Sequence, residues 1–583
     1  MKKVLVYLKD YRKECVLAPL FKMTEAIFEL FVPLIIASII DNGIGSANKG
    51  LLIRDFLLLV ILGVVGWIVA ITAQYFSAKA ATGFATKLRH HLFRHLLSLL
   101  YTEVDTIGTS TMITRMTSDI NQAQNGVNMF LRLFLRSPFV VFGAMIMAFT
   151  IDVRCALTFV FAIVGLFVIV SFITVKNIQM LEVVQGKLDR VLQRTRENLA
   201  GVRVIRAFCR EEREVEAFQN ENGILAVEQK RAGSVSAFMN PLTYILINIA
   251  IILLIQTGAF QVSLGKLTQG EVVALYNYMS QILVELVKLA NLIVTLSKAM
   301  ASINRISDIL VIDNSMENGI CKSDIEDENM TEQYIVFDHV GLAYAGNSEE
   351  SLSDISFTVK KGQTIGVIGG TGCGKTSLVH LLPRFYDVTS GNVMIAGKNV
   401  KEYDVDYLRE KVSIVMQKAV LFKGTIRSNL LWRKETASDE EISKAIAIAQ
   451  AADVVEAKGG LSGTIEQGGR NLSGGQKQRL SIARALVGEP DILILDDSSS
   501  ALDYATDARL RKAIKESTKG MTTFIVSQRT ASIQHADCIL VLEDGLLVGK
   551  GTHQELLQSC EVYREIYESQ YQVNSDSKKG GTA

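Results

Sequence analysis

The sequence predicts a multi-domain protein in which an all-α domain of six membrane-spanning helices is followed by a soluble α/β domain. Two observations predict this fold class. Long apolar stretches are concentrated before residue 300, and shorter apolar runs that end on glycine-rich or acidic segments follow it. A chain of 583 residues also exceeds what one hydrophobic core usually holds. The formal net charge of +1 argues against a nucleic-acid-binding protein, which would be more basic.

The membrane domain is predicted over residues 1–312. Buried helices of a soluble protein are the alternative, but residues 56–73 and 155–175 carry no charge and are rich in large apolar side chains. Such stretches are typical of helices that face lipid. The six predicted spans cover residues 16–40, 56–78, 134–151, 155–175, 241–262 and 271–297.

The loops between these spans differ in length and charge. The segments after the second and fourth spans exceed fifty residues and are rich in lysine and arginine, whereas the other connections are short. Because basic loops stay on the cytoplasmic side, the pattern predicts that both long loops, the N-terminus and the second domain are cytoplasmic. The expected location is the cytoplasmic membrane of a prokaryote.

Three further segments complete the chain. Residues 313–332 lose periodicity and collect acidic side chains, so they are predicted to form a solvated linker, with an acidic docking patch as the less favoured interpretation. Residues 333–571 form the predicted α/β domain. The polar tail, residues 572–583, is predicted to be disordered.

The second domain carries a phosphate-binding loop. Residues 369–376, Gly-Gly-Thr-Gly-Cys-Gly-Lys-Thr, fit the pattern G-x-x-x-x-G-K-[ST] between an apolar strand pattern and a helical one. The glycines let backbone N–H groups point at phosphate oxygens, and the following helix adds the positive end of its dipole. In such a loop Lys375 contacts the β- and γ-phosphates, and the Thr376 hydroxyl holds Mg²⁺.

Two more motifs accompany this loop. An apolar strand pattern at 492–496 is followed by Asp497, and the sequence Leu-Ser-Gly-Gly-Gln occupies residues 472–476. With these motifs in this order, residues 333–571 resemble the ATP-binding cassette (ABC) family. The six spans resemble the exporter branch of that family, in which each half has six membrane helices and one cassette. The resemblance implies ATP and Mg²⁺ as cofactors.

The resemblance also implies roles for individual residues. Tyr344 lies where the family stacks an aromatic ring on adenine, Gln417 where a glutamine contacts Mg²⁺, and Asp496 at the end of the Walker B strand. The implied nucleotide-binding positions are Tyr344, Gly369, Gly370, Thr371, Gly372, Cys373, Gly374, Lys375, Thr376, Ser377, Gln417 and Asp496. The signature positions, implied to contact ATP held by a partner chain, are Leu472, Ser473, Gly474, Gly475 and Gln476, and the D-loop position is Asp503.

Three positions depart from the family pattern. Asp497 stands where the family has a catalytic glutamate, and its side chain is shorter by about 1.5 Å, one C–C bond. Misplacing a catalytic group by about 1 Å can lower the rate on the order of a hundredfold. Gln528 replaces the switch histidine and cannot gain the positive charge of an imidazole. Gln467, just before the signature, replaces a glutamate.

One such substitution is compatible with a slow but working ATPase, whereas two at one hydrolytic centre favour a degenerate site. In this family two cassettes sandwich two ATP molecules, each between the phosphate loop of one chain and the signature of the other. The resemblance therefore implies a heterodimeric, ATP-driven exporter of drugs or other hydrophobic or amphipathic molecules that works by alternating access. The partner half-transporter would supply the Walker B glutamate and the switch histidine of the competent site.

Two other functions stay open at this point. One is a homodimeric exporter of lipid or peptide with two slow sites, and the other is an ATP-gated regulatory membrane protein.

Residues 107–119 and 197–208 resemble the coupling segments by which exporter membrane helices dock on cassettes. Taken alone, they are amphipathic helices with glycine interruptions.

Charged residues within the predicted spans also allow two interpretations. Glu25 and Glu29 share one helix face and could attract a cationic amphipathic compound. They could equally form a polar seam between helices, with Lys22 as an internal partner. Glu285 and Lys288 present the same choice.

Cys373 lies within the phosphate loop, at the N-terminus of the predicted helix. Because such positions favour the thiolate, alkylation there is predicted to block nucleotide binding. The alternative is an inert filler at a variable loop position.

Overall fold

The computed structural model of the protein describes residues 4, 6–313, 316–323, 332–344, 349–498, 500–518 and 520–576, without the side chains of residues 174, 240 and 572–576. The chain divides into two compact units, Met1–Leu97 with Ser110–Ile312, and Ser98–Thr109 with Asp313–Ala583. Half of the predicted acidic linker, residues 314, 315 and 324–331, and the end of the predicted tail, residues 577–583, lie outside the described residues.

The first unit is built from helices. Among the described residues, six helical runs are long and apolar enough to cross a membrane, which confirms the predicted all-α domain. They are Val6–Ile44, Lys49–Ser98, Thr109–Ile151, Val153–Ala200, Glu211–Ser263 and Gln269–Ile309. In chain order the helices are α1 (Arg12–Ser38), α2 (Lys49–Ser98), α3 (Tyr101–Ile107, in the second unit), α4 (Thr109–Thr114), α5 (Ile120–Leu133), α6 (Arg136–Ile151), α7 (Val153–Ala200), α8 (Val202–Ala207), α9 (Glu211–Ala237), α10 (Met239–Ser263) and α11 (Gln269–Ile309). A 3-10 helix, Val6–Tyr11, precedes α1, and π-helical turns lie at Ile39–Ile44 and Arg115–Asp119.

These helices are longer than the apolar stretches that predicted them. Helix α2 has 50 residues, whereas the corresponding predicted span covered only 56–78. At about 1.5 Å per residue, α2 is about 75 Å long. Hydropathy marks only the part of a helix that faces the hydrocarbon core, about 30 Å. The remaining turns carry polar and basic side chains, so hydropathy does not show them.

The core of the first unit contains many small residues. Ala144 and Ala148 of α6 are buried beside Phe159 of α7 and Tyr278 of α11. Small residues let helices approach closely in a membrane, where lipid removes the hydrophobic drive for association. The buried Tyr278 hydroxyl donates to the carbonyl oxygen of Leu30 at 2.6 Å, so its polar end is satisfied.

The second unit is an α/β domain, as predicted. Its described strands are β1 (Ile335–Leu342), β2 (Leu352–Val359), β3 (Thr364–Gly369), β4 (Ser390–Ile395), β5 (Lys398–Asn399), β6 (Val412–Val415), β7 (Gly424–Thr425), β8 (Thr464–Ile465), β9 (Ile492–Asp496), β10 (Thr522–Val526), β11 (Cys538–Glu543) and β12 (Leu546–Gly551). Six strands form a sheet in the order β12-β11-β3-β10-β9-β6, in which only β12 is antiparallel to its neighbour. A four-stranded antiparallel sheet has the order β2-β1-β4-β5, and β7 pairs with β8.

The sheet order explains the continuous apolar runs of the sequence. All five residues of β9 are buried. Leu493 and Leu495 belong to one apolar cluster, while Ile492 and Ile494 belong to another. Alternate residues of a strand point to opposite faces, so both faces of this sheet are covered, as in parallel sheets generally. The remaining helices are α12 (Lys375–His380), α13 (Val405–Lys411), α14 (Ile426–Leu430), α15 (Asp439–Ile448), α16 (Ala452–Ala457), α17 (Gly474–Leu486), α18 (Tyr504–Ser517), α19 (Thr530–Ile533), α20 (His553–Ser559) and α21 (Glu561–Asp576).

The structure differs from the sequence prediction in two terminal segments of this domain. The described part of the linker is hydrogen-bonded to the rest of the second unit. The N–H of Cys321 donates to the Glu402 carbonyl, and the N–H of Asp404 donates to the Cys321 carbonyl, each at 3.0 Å. Arg384 also donates to the carbonyl oxygen of Glu317 at 3.0 Å. Helix α21 continues to Asp576, so residues 572–576 of the expected disordered tail are helical.

Candidate functional site

A pocket of about 300 Å³ opens where the parallel strands β3, β9 and β10 end. Ligands of open α/β sheets bind outside the carboxyl ends of the strands, so this is the expected position for one. Most of the nucleotide-binding positions inferred from the sequence line it. The lining residues are Tyr344, Ser351, Thr371, Gly372, Gly374, Lys375, Thr376, Ser377, Gln417, Asp496, Asp497, Val526, Ser527 and Gln528.

Three of these lining residues were missed at the level of sequence. Val526 ends β10 and Ser527 follows it, and β10 pairs in parallel with both β3 and β9. Parallel strands end at the same edge of a sheet. Since Gln528 was already assigned to the site, Val526 and Ser527, which directly precede it, could have been assigned to the site as well. Ser351 precedes β2, and no motif marks it.

The phosphate loop connects β3 to α12. Gly374 has a φ of 95°, in the left-handed region, and a Cβ there would lie 2.7 Å from the Ser351 carbonyl oxygen. A Cβ on Gly369 would overlap the carbonyl oxygen of Leu542. Both positions therefore require glycine, because the backbone of neighbouring segments passes too close for a side chain.

The ammonium group of Lys375 is buried at the base of the loop. Its Nζ donates to the carbonyl oxygens of Gly370 and, at 3.0 Å, of Gly369. No carboxylate forms an ion pair with Lys375 in the described part of the chain. A buried cation without an anion costs free energy, so this position fits an anionic ligand such as a phosphate.

Asp496 lies beside Thr376 at the end of β9. The Thr376 hydroxyl, which donates one hydrogen bond, lies 3.0 and 3.1 Å from the two carboxylate oxygens. Asp496 is only 2% exposed, and burial raises its pKa although the Thr376 hydrogen bond opposes that shift. Hydroxyl and carboxylate oxygens are ligands that Mg²⁺ prefers, so the pair fits a magnesium site beside bound phosphates.

Asp497 and Gln528 lie at the same pocket. The Asp497 carboxylate accepts a hydrogen bond from Nε2 of Gln417 at 3.3 Å. Its backbone has a φ of 44°, a left-handed conformation that aspartate tolerates better than most residues. The structure thus brings both substituted positions together with Gln417 and the phosphate loop.

Tyr344 connects the pocket to an aromatic group that the sequence did not reveal. Its hydroxyl lies 2.8 Å from Oγ of Ser377, and its ring packs edge-on against Tyr386 with centroids 5.0 Å apart. The Tyr386 hydroxyl donates to Oδ2 of Asp105 in α3 at 2.8 Å. Burial and the nearby Asp105 carboxylate raise the pKa of Tyr386, so the phenol keeps its proton.

Helix α3 joins the second unit through these aromatic residues. Tyr101 stacks on Phe385 with ring centroids 4.3 Å apart. Gly108, with a φ of 76°, separates α3 from α4, and residues 110–119 belong to the first unit. The segment that joins the second unit is therefore 98–109, upstream of the coupling segment expected at 107–119.

His380 of α12 is buried beside the same aromatic residues. Its ring packs edge-on against Phe385 at 5.3 Å and nearly parallel to Tyr386 at 6.3 Å. Its Nε2 has no hydrogen-bond partner among the described residues. Burial lowers the pKa of His380 to about 4, so the ring is neutral at pH 7.

The signature residues lie at the start of α17. Ser473 caps this helix: its Oγ accepts from the N–H of Gln476 at 3.3 Å, and its own N–H donates to the Gln476 side chain at 2.9 Å. Ser473 and Gly474 are exposed. Asp503 likewise caps α18 by accepting from the N–H of Thr506 at 2.9 Å, a bond that lowers the Asp503 pKa. The pocket lining of this chain includes none of Leu472, Ser473, Gly474, Gly475, Gln476 and Asp503.

Cys373 is enclosed within the phosphate loop. It is 5% exposed, and Nζ of Lys375 lies 3.6 Å from its Sγ. An alkylating reagent would have to displace the loop to reach this thiol. The burial favours the interpretation of Cys373 as an inert filler.

The charged residues of the membrane spans form ion pairs inside the first unit. Arg136, 7% exposed, lies 2.7 Å from Glu29 and 2.6 Å from Glu285. The whole group, called the charge cluster below, consists of Lys22, Glu25, Glu29, Arg136, Glu285 and Lys288, with Lys22 on Glu25 and Lys288 on Glu285. Three cations offset three carboxylates, so the arrangement favours a polar seam over a site that attracts cations.

Comparison with known proteins places the chain in a family. Residues 15–286 match the ABC transporter transmembrane region, and residues 352–500 match the ABC transporter model. The uncharacterized ABC transporter ATP-binding protein YfiB of Bacillus subtilis (strain 168) is 35% identical over 98% of this chain and 99% of its own length. The chain belongs to the ABC transporter family. An ATP-binding domain of this family implies ATP binding and hydrolysis by a transporter.

Two further similarities describe this ABC transporter. The probable multidrug resistance ABC transporter ATP-binding/permease protein YheI of Bacillus subtilis (strain 168) is 31% identical over 100% of this chain and 99% of its own length. A solved structure of a bacterial Atm1-family ABC exporter with ATP bound superposes with a TM-score of 0.79 at 22% identity, covering 96% of this chain and 98% of that one. The protein therefore has the fold of an exporter half, with six apolar helices followed by an α/β domain.

Proposed function

We propose that this chain is one half of a heterodimeric, ATP-driven exporter and that its own ATP site hydrolyses slowly. The observation that carries the proposal is the hydrogen bond of the Asp497 carboxylate to Gln417 at 3.3 Å. This contact supports the proposal that Asp497 occupies the position of the catalytic base with a side chain about 1.5 Å shorter than glutamate. A base that stops short of the attacking water loses most of its effect on the rate.

Binding of ATP at this site is supported by the remaining residues. Lys375, which is buried and has no carboxylate partner among the described residues, would hold the β- and γ-phosphates. Thr376 and Asp496 would hold Mg²⁺, which neutralises charge that develops on the phosphate oxygens. Tyr344 would stack on adenine. The chain thus keeps its binding residues and departs from the family pattern at the two hydrolytic positions.

The signature supports a contribution to the partner's site. Ser473 and Gly474 are exposed, stand at a well-capped helix start, and lie outside the pocket of their own chain. The region around α8 supports docking on a second chain, since Leu199 is 71%, Val204 61% and Phe208 72% exposed. Apolar side chains exposed in this number are typical of an interaction site.

The proposed cargo is a drug or another hydrophobic or amphipathic molecule, moved by alternating access. A relative whose name contains multidrug resistance, YheI, matches the full length of the chain. The charge cluster is neutral overall, so it gives no preference for cationic cargo. The proposed location is the cytoplasmic membrane of a prokaryote, with the N-terminus and the ATP-binding domain in the cytoplasm.

The test is ATP turnover by the purified chain, alone and with its copurifying membrane partner. We expect Asp497→Asn, which keeps the shape and removes the charge, to change turnover of the pair less than twofold. Changing the Walker B glutamate of the partner to glutamine removes a working base, so turnover should fall by at least about a hundredfold. Asp497→Glu tests directly whether the missing length limits the rate at this site.

Other outcomes would select the alternatives. Rapid hydrolysis by the chain alone, abolished by Asp497→Asn, would show that Asp497 is a working base and that the transporter is a homodimer. An ATP-gated regulatory protein would be favoured if no hydrophobic compound stimulates ATP turnover and none is taken up into inverted vesicles.

A further inference from the structure

The N-terminal segment, residues 6–15, is tied to α2 along one face. Glu14 pairs with Lys79 at 2.9 Å, and Asp10 pairs with Lys87. These are the two carboxylates of the segment. Both carboxylates of the segment therefore form their ion pairs with lysines of α2.

That opposite face lines a cavity of about 550 Å³ between the N-terminal segment, α5 and α11. Val127 and Phe130 of α5 and Met300 and Ile303 of α11 contribute to its wall. Among the described residues, the charged ones that line the cavity are Lys9 and Arg12. Apolar walls with a few polar groups, within about 300–1,000 Å³, are typical of ligand sites.

Lys9 and Arg12 are three residues apart, so they lie on the same side of the segment. Both are exposed. Neither forms an ion pair with a carboxylate in the parts of the chain that the structure describes, in contrast to Lys79, Lys87 and the cations of the charge cluster. The cavity therefore combines an apolar interior with two cations that form no ion pair with a described carboxylate.

We propose that this cavity binds an acidic phospholipid of the surrounding bilayer. The lipid phosphate contacts Lys9 and Arg12, and one acyl chain lies between α5 and α11. The apolar span predicted from the sequence begins at residue 16, four residues after Arg12, so both cations are expected at the level of the lipid head groups. Basic pockets between transmembrane helices are known to bind anionic head groups, and a guanidinium pairs with phosphate through two parallel hydrogen bonds.

The charge distribution selects a lipid over a helix of a partner chain. An apolar helix laid into the cavity would cover its wall but leave Lys9 and Arg12 without an anion at the edge of the membrane. An acidic lipid covers the apolar wall with its acyl chain and pairs its phosphate with both cations. The site is separate from the ATP pocket and from the charge cluster, so it is independent of the heterodimer proposal.

The experiment uses the full chain with its copurifying partner, reconstituted in vesicles that contain a photoactivatable phosphatidylglycerol. Mass spectrometry of the cross-linked peptides is expected to place the acyl probe on α5 and α11, near Phe130 and Met300. Phosphatidylcholine with the same acyl chains should label these peptides weakly. Lys9→Gln combined with Arg12→Gln should reduce the labelling by about 25-fold, the product of about fivefold per cation.

Two control variants separate the site from general surface charge. Lys13→Gln combined with Arg94→Gln removes the same charge from residues that do not line the cavity, and labelling should fall less than threefold. Met300→Trp fills the cavity and leaves the cations in place, and labelling should be lost. An unchanged far-UV circular dichroism spectrum and thermal midpoint of each variant show that the first unit is folded.

Three results would overturn the proposal. They are equal labelling by phosphatidylglycerol and phosphatidylcholine, an equal loss in both double variants, and cross-links between α5 or α11 and a peptide of the partner chain in place of the lipid.

Discussion

The charge cluster of the first unit and the ATP pocket of the second unit bury ionisable groups in opposite ways. In the first unit, Glu285 is 3% exposed and is bonded to Arg136 and Lys288. In the second unit, Asp496 is 2% exposed and its hydrogen-bond partner is the neutral Thr376 hydroxyl. A buried charge that is paired internally serves the fold, whereas an unpaired one carries a cost that a ligand can remove. The comparison indicates that the charge cluster is complete by itself and that the ATP pocket is not.

Removal of Arg136 should cause the largest loss of stability among the variants that test this comparison. Arg136→Met leaves Glu29 without a cation and Glu285 with Lys288 alone, so we expect a loss of about 3–5 kcal/mol in stability of the first unit. The two tryptophans of the chain, Trp67 and Trp432, lie one in each unit. Fluorescence of Trp67 during denaturation, in a Trp432→Phe background, reports the first unit.

Arg231→Met is the matched control for that experiment. Arg231 pairs with Glu228 at 2.9 Å, and its side chain is 65% exposed. Exposed pairs contribute about 0.2–1 kcal/mol, so the denaturation midpoint should hardly move. Equal effects of the two variants would mean that the charge cluster is no more than a surface-like set of pairs.

His380 should make the second unit sensitive to acid. Its pKa falls from the ordinary 6.5 to about 4 in the folded state, so the unfolded chain binds the proton first as the pH drops. Stability is therefore complete above pH 6.5 and is lost by about 3 kcal/mol as the pH falls through that window to about 4. Denaturation followed by Trp432, in a Trp67→Phe background, measures this dependence.

His380→Leu should remove that part of the acid sensitivity, because the apolar side chain keeps the aromatic packing and cannot titrate. An unchanged acid transition in the His380 variant would mean that other groups of the second unit cause it.

Asp496→Asn should separate the affinity for magnesium from the stability of the fold. Without the carboxylate, the Mg²⁺-dependent part of ATP affinity should fall about ten- to a hundredfold. Because the folded-state pKa of Asp496 is raised, its ionisation opposes folding as the pH rises, and the asparagine variant should be no less stable at pH 7. Titration of a fluorescent ATP analogue with and without Mg²⁺ measures the first effect.

Asp491→Asn is the control for this variant, since Asp491 precedes the opposite end of β9 and its side chain is 41% exposed in a pair with Lys411. It should leave Mg²⁺-dependent binding unchanged. If Asp496→Asn unfolds the protein without specifically lowering the Mg²⁺-dependent ATP affinity, then Asp496 stabilises the fold, as the charge cluster does, and does not bind Mg²⁺.

Sequence spacing gave the two local pairs of the charge cluster as one of two interpretations. Lys22 with Glu25, and Glu285 with Lys288, are three residues apart and share a helix face, which fixes their contact once the helix forms. Arg136 was missed because Glu29 and Glu285 lie 107 and 149 residues away in the chain. No local pattern encodes which helices pack together, so this partner required the structure.

In the ATP pocket, too, local sequence patterns identified motifs but not the contacts between distant segments. The phosphate loop and Asp496 were recognised from motifs, and their contact through Thr376 spans 120 residues. Tyr386, Asp105 and His380 belong to no motif, so their packing beside Tyr344 could not be inferred. Predicted element boundaries failed for a related reason, because polar extensions of the membrane helices carry no hydropathy signal.

The position of α3 in the second unit has a consequence for biosynthesis. Asp105 and its partner Tyr386 are 281 residues apart. At about 5–20 residues per second, the ribosome needs about 15 s to 1 min to synthesise the intervening chain. During that time Tyr101 is exposed to the cell with its aromatic partner not yet made. A nascent chain stalled before residue 385 should therefore present this segment to proteases and chaperones, whereas the finished protein should protect it.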